Sequence, residues 1–392
     1  MKNLYLFILG LCFFGWQMPT LQAQDPMYSQ YFSGWLRSNP AMTATYGGLT
    51  FQSILRDQWR VVQFNRSKFT TGSLNATWFA GCLRSGFGFY YDYNTEGEGN
   101  LRTTSFGLSW AYIVPVVDNK TVYADLRLGI SLGQSSRQIN WDNLVFTGQL
   151  DPFFGIVTQN QSLPPEILRD GYLSYFDVSS GLVYQYYHNV SNIGSRIGIA
   201  AHHLNKPDAS LLGNSSPILP WRWTAHASLA FEEFLGRKRL SLTPGIKVDW
   251  QRSSTLPGFL ETNPDAFVYR SVNVGVMLSS LPNIRNEVND SEKNGVYGGL
   301  WLHTRNLFPD NTNTSALIGM VGTVFQIGNV NYNLGLSGDY YFQGAGPGAG
   351  WGAEISLTVN FPDFGQDFCP INLKSYKPCR PNKSKYPLPV NF

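Results

Sequence analysis

The stretch Gly352-Ala-Glu-Ile-Ser-Leu-Thr-Val-Asn-Phe361 decides the fold class. From Glu354 onward, polar and apolar residues alternate without exception. Side chains in a strand point alternately to opposite faces, so this pattern predicts a strand with one polar and one apolar face. Pro362 cannot donate to a sheet ladder, so the strand is predicted to end at Phe361. The closing strand of an outer-membrane barrel has this form, with lipid on one side and a wet lumen on the other. A half-buried strand of a soluble sandwich would show it too.

Similar segments recur upstream. Between Val122 and Leu132, Asp125 and Arg127 fall on the polar face, and we predict that they are neighbours in the lumen. The candidate strands number about fourteen, an even number that suits a single-chain bacterial barrel. A turn is predicted at Pro115–Lys120. The candidates are Leu49–Leu55, Phe69–Phe79, Gly86–Tyr93, Thr103–Ile113, Thr121–Gln134, Tyr175–Tyr187, Ser195–Leu204, Trp223–Phe234, Leu240–Trp250, Phe267–Ser279, Tyr297–Thr304, Ser315–Ile327, Val330–Phe342 and the closing strand.

We therefore predict an all-β protein, a transmembrane antiparallel β-barrel over residues 49–361. Charged residues make up 14% of the 392 residues, against about 25% in typical soluble proteins. Aromatic residues reach 15%, yet no run after Ala23 approaches the roughly 18 apolar residues of a spanning helix. The alternative is a secreted β-sandwich or propeller, but no propeller repeat is seen and no domain break interrupts the strands. The net charge of +3 is too small to indicate a nucleic-acid partner.

Three further regions flank the predicted barrel. Residues 1–23 read as a signal peptide, with Lys2, an apolar run too short to span a bilayer, and Ala23 before the expected cut. Residues 24–48 contain aromatics and turn formers and end in two glycines, so we predict an ordered plug or collar, because exposed aromatics would be costly in water. Residues 362–392 form a basic, proline-rich tail.

No spacing of chemically active residues predicts catalysis, a metal site or a cofactor. The histidines show no ligand spacing, and Gly344–Gly350 lacks the Lys-Ser/Thr of a phosphate loop. An enzyme is therefore not expected. Cys82, Cys369 and Cys379 remain after the signal peptide, and an odd number argues against a disulfide framework. A bridge between Cys369 and Cys379 stays open.

Several short blocks carry a resemblance to a known family. They are Gln24–Tyr31, Asn39-Pro40-Ala41, Arg56-Asp57-Gln58-Trp59, Ile139–Phe146 (which includes Trp141 and Asp142), Phe176–Leu182 and Ala201–Pro207. In this order they resemble the PorP/SprF family, outer-membrane proteins of the Bacteroidota that are associated with type IX secretion and gliding motility. Residues 33–37 depart from the family's usual spacer, and the tail after Phe361 has no counterpart that can be carried over.

The resemblance implies a non-enzymatic barrel in the outer membrane of a Gram-negative bacterium. Its partners would be a large secreted cargo protein with a C-terminal sorting domain, other type IX secretion components and outer-membrane lipid. The alternative function is a passive or selective porin or transporter.

Aromatic side chains dominate interface energetics, so they supply most candidate residues. We expect Tyr28, Tyr31 and Phe32 to anchor the plug, and Trp141 and Phe146 to present a docking surface. Asn39, Pro40, Trp59 and Asp142, from the family blocks, complete the set of plug and partner candidates.

Overall fold

The strands close into one antiparallel barrel. The computed structural model describes residues 28–30, 32–60, 69–97, 99–140, 144, 149–151, 153, 155–156, 172–209, 211, 219–237, 240–252, 268–280, 294–304, 315–343 and 351–364. Within this part of the chain the barrel has fourteen strands, and the first pairs with the last. This confirms the predicted fold class and strand number. None of the helices in the same residues is long and apolar enough to span a membrane.

Sixteen strands occur among these residues, because a small separate hairpin lies between the fifth and sixth barrel strands. The hairpin consists of β6 (Leu150–Asp151) and β7 (Gly155–Ile156). The barrel strands are β1 (Leu49–Arg60), β2 (Thr70–Ala80), β3 (Ser85–Glu96), β4 (Leu101–Asp118), β5 (Val122–Gln138), β8 (Tyr172–His188), β9 (Ile193–His202), β10 (Arg222–Phe231), β11 (Leu240–Arg252), β12 (Val268–Ser280), β13 (Gly295–Thr304), β14 (Ser315–Ile327), β15 (Val330–Gln343) and β16 (Trp351–Phe361).

Side chains along β16 face outward and inward in strict alternation. Ile355 and Leu357 are 44% and 42% exposed, whereas Glu354 and Ser356 are 3% and 4% exposed. In β5, the Arg127 Nε atom lies 3.0 Å from an Asp125 carboxylate oxygen, as the shared polar face predicts. The apolar set therefore faces outward and the polar set faces the interior, as in outer-membrane barrels.

One predicted turn is wrong. The segment Pro115–Lys120 was expected to connect two strands, but β4 continues to Asp118 and only residues 119–121 form the turn. The pairing of β4 with β5 shifts register between Pro115 and Val117, and this irregularity accommodates a residue that has no N–H to donate.

Connections at the two rims differ in length. The rim at which β1 begins and β16 ends carries short turns at residues 81–84, 119–121, 189–192 and 328–329. On the same rim, the connection between β12 and β13, residues 281–294, is longer. The longest connection, residues 139–171, leaves from the opposite rim. In the turn at residues 81–84, Cys82 is disulfide-bonded. Cys369 and Cys379 lie outside the described residues.

Residues 28–30 and 32–48, called the N-terminal segment below, lie inside the barrel. The segment contains one helical turn, α1 (Trp35–Ser38), and a 3₁₀ turn at Pro40–Met42. Phe32 and Trp35 are almost completely buried. The segment contacts β15 and β16 on one side, and β5 and β8, nearly opposite in the strand order, on the other.

The lumen and the N-terminal segment as the candidate functional site

The first anchor of the N-terminal segment is a carboxylate on the closing strand. The backbone N–H groups of Ser29 and Gln30 each donate to the Glu354 carboxylate at 2.8 Å. The Ser29 hydroxyl donates to an Asp339 carboxylate oxygen at 2.7 Å. Hydrogen bonds to a charged acceptor are roughly twice as strong as neutral ones, so two consecutive amides on one carboxylate make a firm attachment.

Arg56 on β1 compensates these buried carboxylates. Its Nη2 atom lies 2.6 Å from an Asp339 oxygen, and its Nε atom lies 3.9 Å from an oxygen of Glu354. The three side chains come from three adjacent strands, β15, β16 and β1. A buried charge without a partner is strongly destabilising. In this triad of Arg56, Asp339 and Glu354, the arginine is the partner that lets the wall hold two buried acidic groups.

The Gln30 side chain extends this anchor. Its amide N–H donates to the Glu354 backbone oxygen at 3.2 Å, and its amide oxygen accepts from the Ser356 hydroxyl at 2.7 Å. Gln52 on β1 in turn donates to the Ser33 backbone oxygen at 2.9 Å. The segment is therefore bonded to the strands on both sides of the barrel's closure.

Aromatic and cationic contacts hold the middle of the segment. The rings of Phe32 and Trp301 lie 6.4 Å apart, and Trp35 packs on His226 at 5.0 Å. The Arg196 guanidinium lies 5.5 Å from the centre of the Trp35 ring, a cation–π arrangement. Burial raises the pKa of the Tyr28 phenol well above its ordinary value, so Tyr28 stays neutral.

Arg37 connects α1 to strand β3. Its Nε atom lies 3.0 Å from an Asp92 carboxylate oxygen on β3. Its guanidinium also lies 5.3 Å from the centre of the Tyr90 ring. Asp92 is buried and Arg37 is partly exposed. The Arg37 guanidinium therefore compensates the negative charge of a buried carboxylate, which would be costly without a partner.

Asn39 joins the 3₁₀ turn to the barrel wall. Its side-chain oxygen accepts from the Ala41 N–H at 2.9 Å, and this bond caps the turn. Its side-chain nitrogen donates to the backbone oxygens of Leu182 at 3.3 Å and Ile199 at 3.2 Å. One amide therefore fixes the turn and binds β8 and β9 together.

A band of small residues makes room for this turn. Gly86, Ala111, Gly129, Gly181 and Ala200 are successive register partners on β3, β4, β5, β8 and β9. A Cβ at Gly129 would lie 2.2 Å from the backbone nitrogen of the 3₁₀ turn's Ala41. A Cβ at Gly181 would lie 2.0 Å from the Asn39 side-chain oxygen. The 3₁₀ turn and the wall thus approach too closely for any larger residue at these two positions.

The segment returns to the closing strand before β1 begins. The Asn360 side chain donates to the Gly47 backbone oxygen at 2.9 Å. Gly48 has a φ of +58°, and a Cβ there would lie 2.1 Å from the Phe361 backbone oxygen. Only glycine combines this backbone conformation with so close an approach. Both ends of the segment therefore bind β16.

Four of the predicted residues come together in the lumen: Tyr28, Phe32, Asn39 and Pro40 are all buried there. Trp59 lies in β1. Tyr31, Trp141, Asp142 and Phe146 lie outside the described residues. Sequence reasoning missed the residues that receive the segment: Glu354, Asp339 and Arg56 in the triad, and Gly129 and Gly181 in the band. Glu354 was assigned to the polar face, but nothing local distinguishes it from a residue that simply contacts water.

The sequence matches a family described as "Type IX secretion system membrane protein PorP/SprF" over residues 20–359. The chain belongs to this family. As a PorP/SprF protein with a closed antiparallel barrel, it is an outer-membrane barrel of type IX secretion. The family comprises membrane proteins of a secretion system, and its description names no catalytic activity.

Solved structures similar to this PorP/SprF protein are distant. CdiB from Acinetobacter baumannii is 7% identical with a TM-score of 0.41; the match covers 79% of this chain and 60% of CdiB. The toluene transporter TbuX of Ralstonia pickettii is 14% identical with a TM-score of 0.41, covering 87% of this chain and 96% of TbuX. TodX of Pseudomonas putida, also a toluene transporter, is 9% identical with a TM-score of 0.41, covering 87% and 95%. The comparison with curated proteins gave no match.

Proposed function

We propose that this chain is an accessory and anchor for type IX secretion, with its lumen closed by the N-terminal segment. The cargo would be a large surface or secreted protein with a C-terminal sorting domain, and the role would extend to gliding motility. The observation that carries this proposal is the attachment of the segment to opposite walls of the lumen. A barrel filled in this way suits a holder of partners better than an open pore.

We further propose that residues 1–23 are cleaved after export and that the rim at which β1 begins and β16 ends faces the periplasm. Short turns usually lie on the periplasmic side of outer-membrane barrels, and long loops on the outside. The longest connection would then be extracellular, together with Trp141, Asp142 and Phe146. Its aromatic residues would offer a docking surface for one partner.

The test is recovery of partners from outer membranes. A tagged chain purified in mild detergent should retain a large protein with a sorting domain, or other type IX components, as identified by mass spectrometry. A matched variant, Trp141→Ala with Phe146→Ala, should fold equally well and retain much less of that partner. Recovery of the barrel alone from membranes that contain the secretion machinery would contradict the accessory role.

A second candidate function is a selective pore, because polar side chains line part of the wall. Thr71, Ser73, Asn75 and Thr77 follow one another on the inward face of β2 and are all buried. In planar bilayers, a porin should give regular single-channel steps, whereas a barrel closed by its N-terminal segment should give none. Deletion of residues 24–48 should then create a conductance and alter retention of cargo. If neither changed in a folded deletion variant, the segment would not be a plug.

A further inference from the structure

The seam of the barrel is the pairing of β1 with β16. Leu49 pairs with Phe361 at one end, and Arg56 pairs with Glu354 towards the other. These partners are about as far apart in sequence as the barrel allows, so their pairing carries the largest loop-closure cost of any neighbouring strands. An attachment that favours this pairing would therefore act where the barrel is hardest to close.

The N-terminal segment bonds three adjacent strands at this seam. Ser29 donates to Asp339 on β15, and the Ser29 and Gln30 amides donate to Glu354 on β16. Gln52 on β1 donates back to the segment at Ser33. The segment is thus a bridge between the first strand and the last two strands, in addition to the ladder that joins them.

The charges at the seam depend on this bridge. Arg56 pairs closely with Asp339 at 2.6 Å but stands 3.9 Å from Glu354. The Glu354 carboxylate is instead bonded at short range by the two segment amides. If the segment left the lumen, the buried Glu354 carboxylate would lose its two nearest hydrogen-bond donors. This loss would destabilise the pairing of β1 with β16.

We propose that Ser29, Gln30 and Ser33 form an internal clasp that holds the seam between β1 and β16 closed. Release of the segment from the lumen therefore loosens the seam. This inference does not depend on the secretion role or on any cargo. It assigns to the segment a mechanical part in barrel closure that is distinct from filling the lumen.

The test compares cross-links at the seam and away from it, in a background with Cys82, Cys369 and Cys379 changed to serine. Ser53 and Leu357 are register partners across the seam, and cysteines there can form a disulfide. Val276 and Leu300 are register partners in β12 and β13 and provide the control cross-link. Glu354→Gln is then introduced into each background.

We measure the temperature at which half of the folded form, which migrates faster on an SDS gel, is lost. Without a cross-link, Glu354→Gln should lower this temperature by about 5–10 °C. The seam cross-link should cancel most of that shift, and the control cross-link should leave it intact. Ser109→Ala removes the contact between the Ser109 and Thr43 hydroxyl oxygens (2.9 Å), which lies away from the seam. The seam cross-link should stabilise this variant no more than the control cross-link does.

Equal rescue by both cross-links, or no effect of Glu354→Gln, would overturn the clasp. If Glu354→Gln fails to fold, Gln30→Ala replaces it, because this variant removes the bonds to Ser356 and to the Glu354 backbone while leaving every strand residue in place. Preferential rescue of that variant at the seam would support the clasp, and its absence would refute it.

Discussion

Gly129 offers the most direct test of how the N-terminal segment is seated. In a Gly129→Ala variant, the added Cβ would lie 2.2 Å from the Ala41 backbone nitrogen and 2.3 Å from the Pro40 carbonyl carbon. Ordinary contact begins at 3.4 Å, so restoring it requires the two backbones to separate by about 1.2 Å (3.4 − 2.2). Because backbone rather than a flexible side chain meets the new atom, the overlap cannot be relieved by a rotamer change.

The expected cost is that of overpacking a filled interior, about 1–3 kcal/mol. If this cost falls on the seated state of the segment, the population of the unseated state rises about 5- to 150-fold. A buried cysteine placed in the segment, Ser38→Cys in a background without the native cysteines, should react with a maleimide faster by the same factor. The folded band on an SDS gel should persist.

Gly319→Ala is the matched control. Gly319 lies on β14, and a Cβ there would meet only a Leu300 methyl carbon, at 4.0 Å. Labelling of the segment cysteine in this control should match that of the unchanged barrel. If Gly129→Ala labels no faster than Gly319→Ala, the close seating against β5 is refuted.

Three further predictions concern other contacts. Asn39→Ala removes the cap on Ala41 and the bonds to β8 and β9. The same cysteine should then label about 5- to 150-fold faster, because a buried polar contact contributes about 1–3 kcal/mol. The control Asn189→Ala, in the turn after β8, should not change labelling. Leu300→Arg places a cation on the exposed outer face of β13. If this position lies near the bilayer midplane, the change should destabilise the barrel by about 2–4 kcal/mol, as measured by urea unfolding in lipid vesicles. An unchanged urea midpoint of unfolding would contradict a lipid-facing position. Cys82 is disulfide-bonded, and Cys369 and Cys379 are the other cysteines after residue 23. Mass spectrometry of non-reduced peptides should therefore link Cys82 to Cys369 or Cys379, and a bridge between the latter two would refute this.

The sequence predicts the strands because each strand carries its own local signal. The alternation in β16 and β5 places apolar residues on the outer face and polar residues on the lumen face, and it is visible within ten residues. The end of β4 could not be predicted in the same way. Pro115 reads as a turn former, but the register shift beside it lets the strand continue to Asp118.

The candidate site was predictable on one side only. Tyr28 and Phe32 are conspicuous because aromatics ahead of a barrel need burial, and both are buried. The residues of the barrel wall that bind the N-terminal segment are not conspicuous. Glu354 lies more than 300 residues away from Ser29 in sequence, and a polar residue on an inward face looks the same whether it bonds a segment or water. Pairing of this kind arises from closure of the barrel, which no local pattern encodes.

The band of small residues also determines the bore of the barrel. At Gly86, Ala111, Gly129, Gly181 and Ala200 the wall consists of backbone with almost no side chain. Five neighbouring strands share this property at one level, so a barrel emptied of its N-terminal segment would be widest there, and only towards one side. The bore would be eccentric, smooth and uncharged along that arc. An elongated chain could slide past this band without being held, so any selectivity of an emptied barrel would have to come from charged side chains at other positions, such as Asp125 and Arg127 on β5 or Arg56, Asp339 and Glu354 across the lumen.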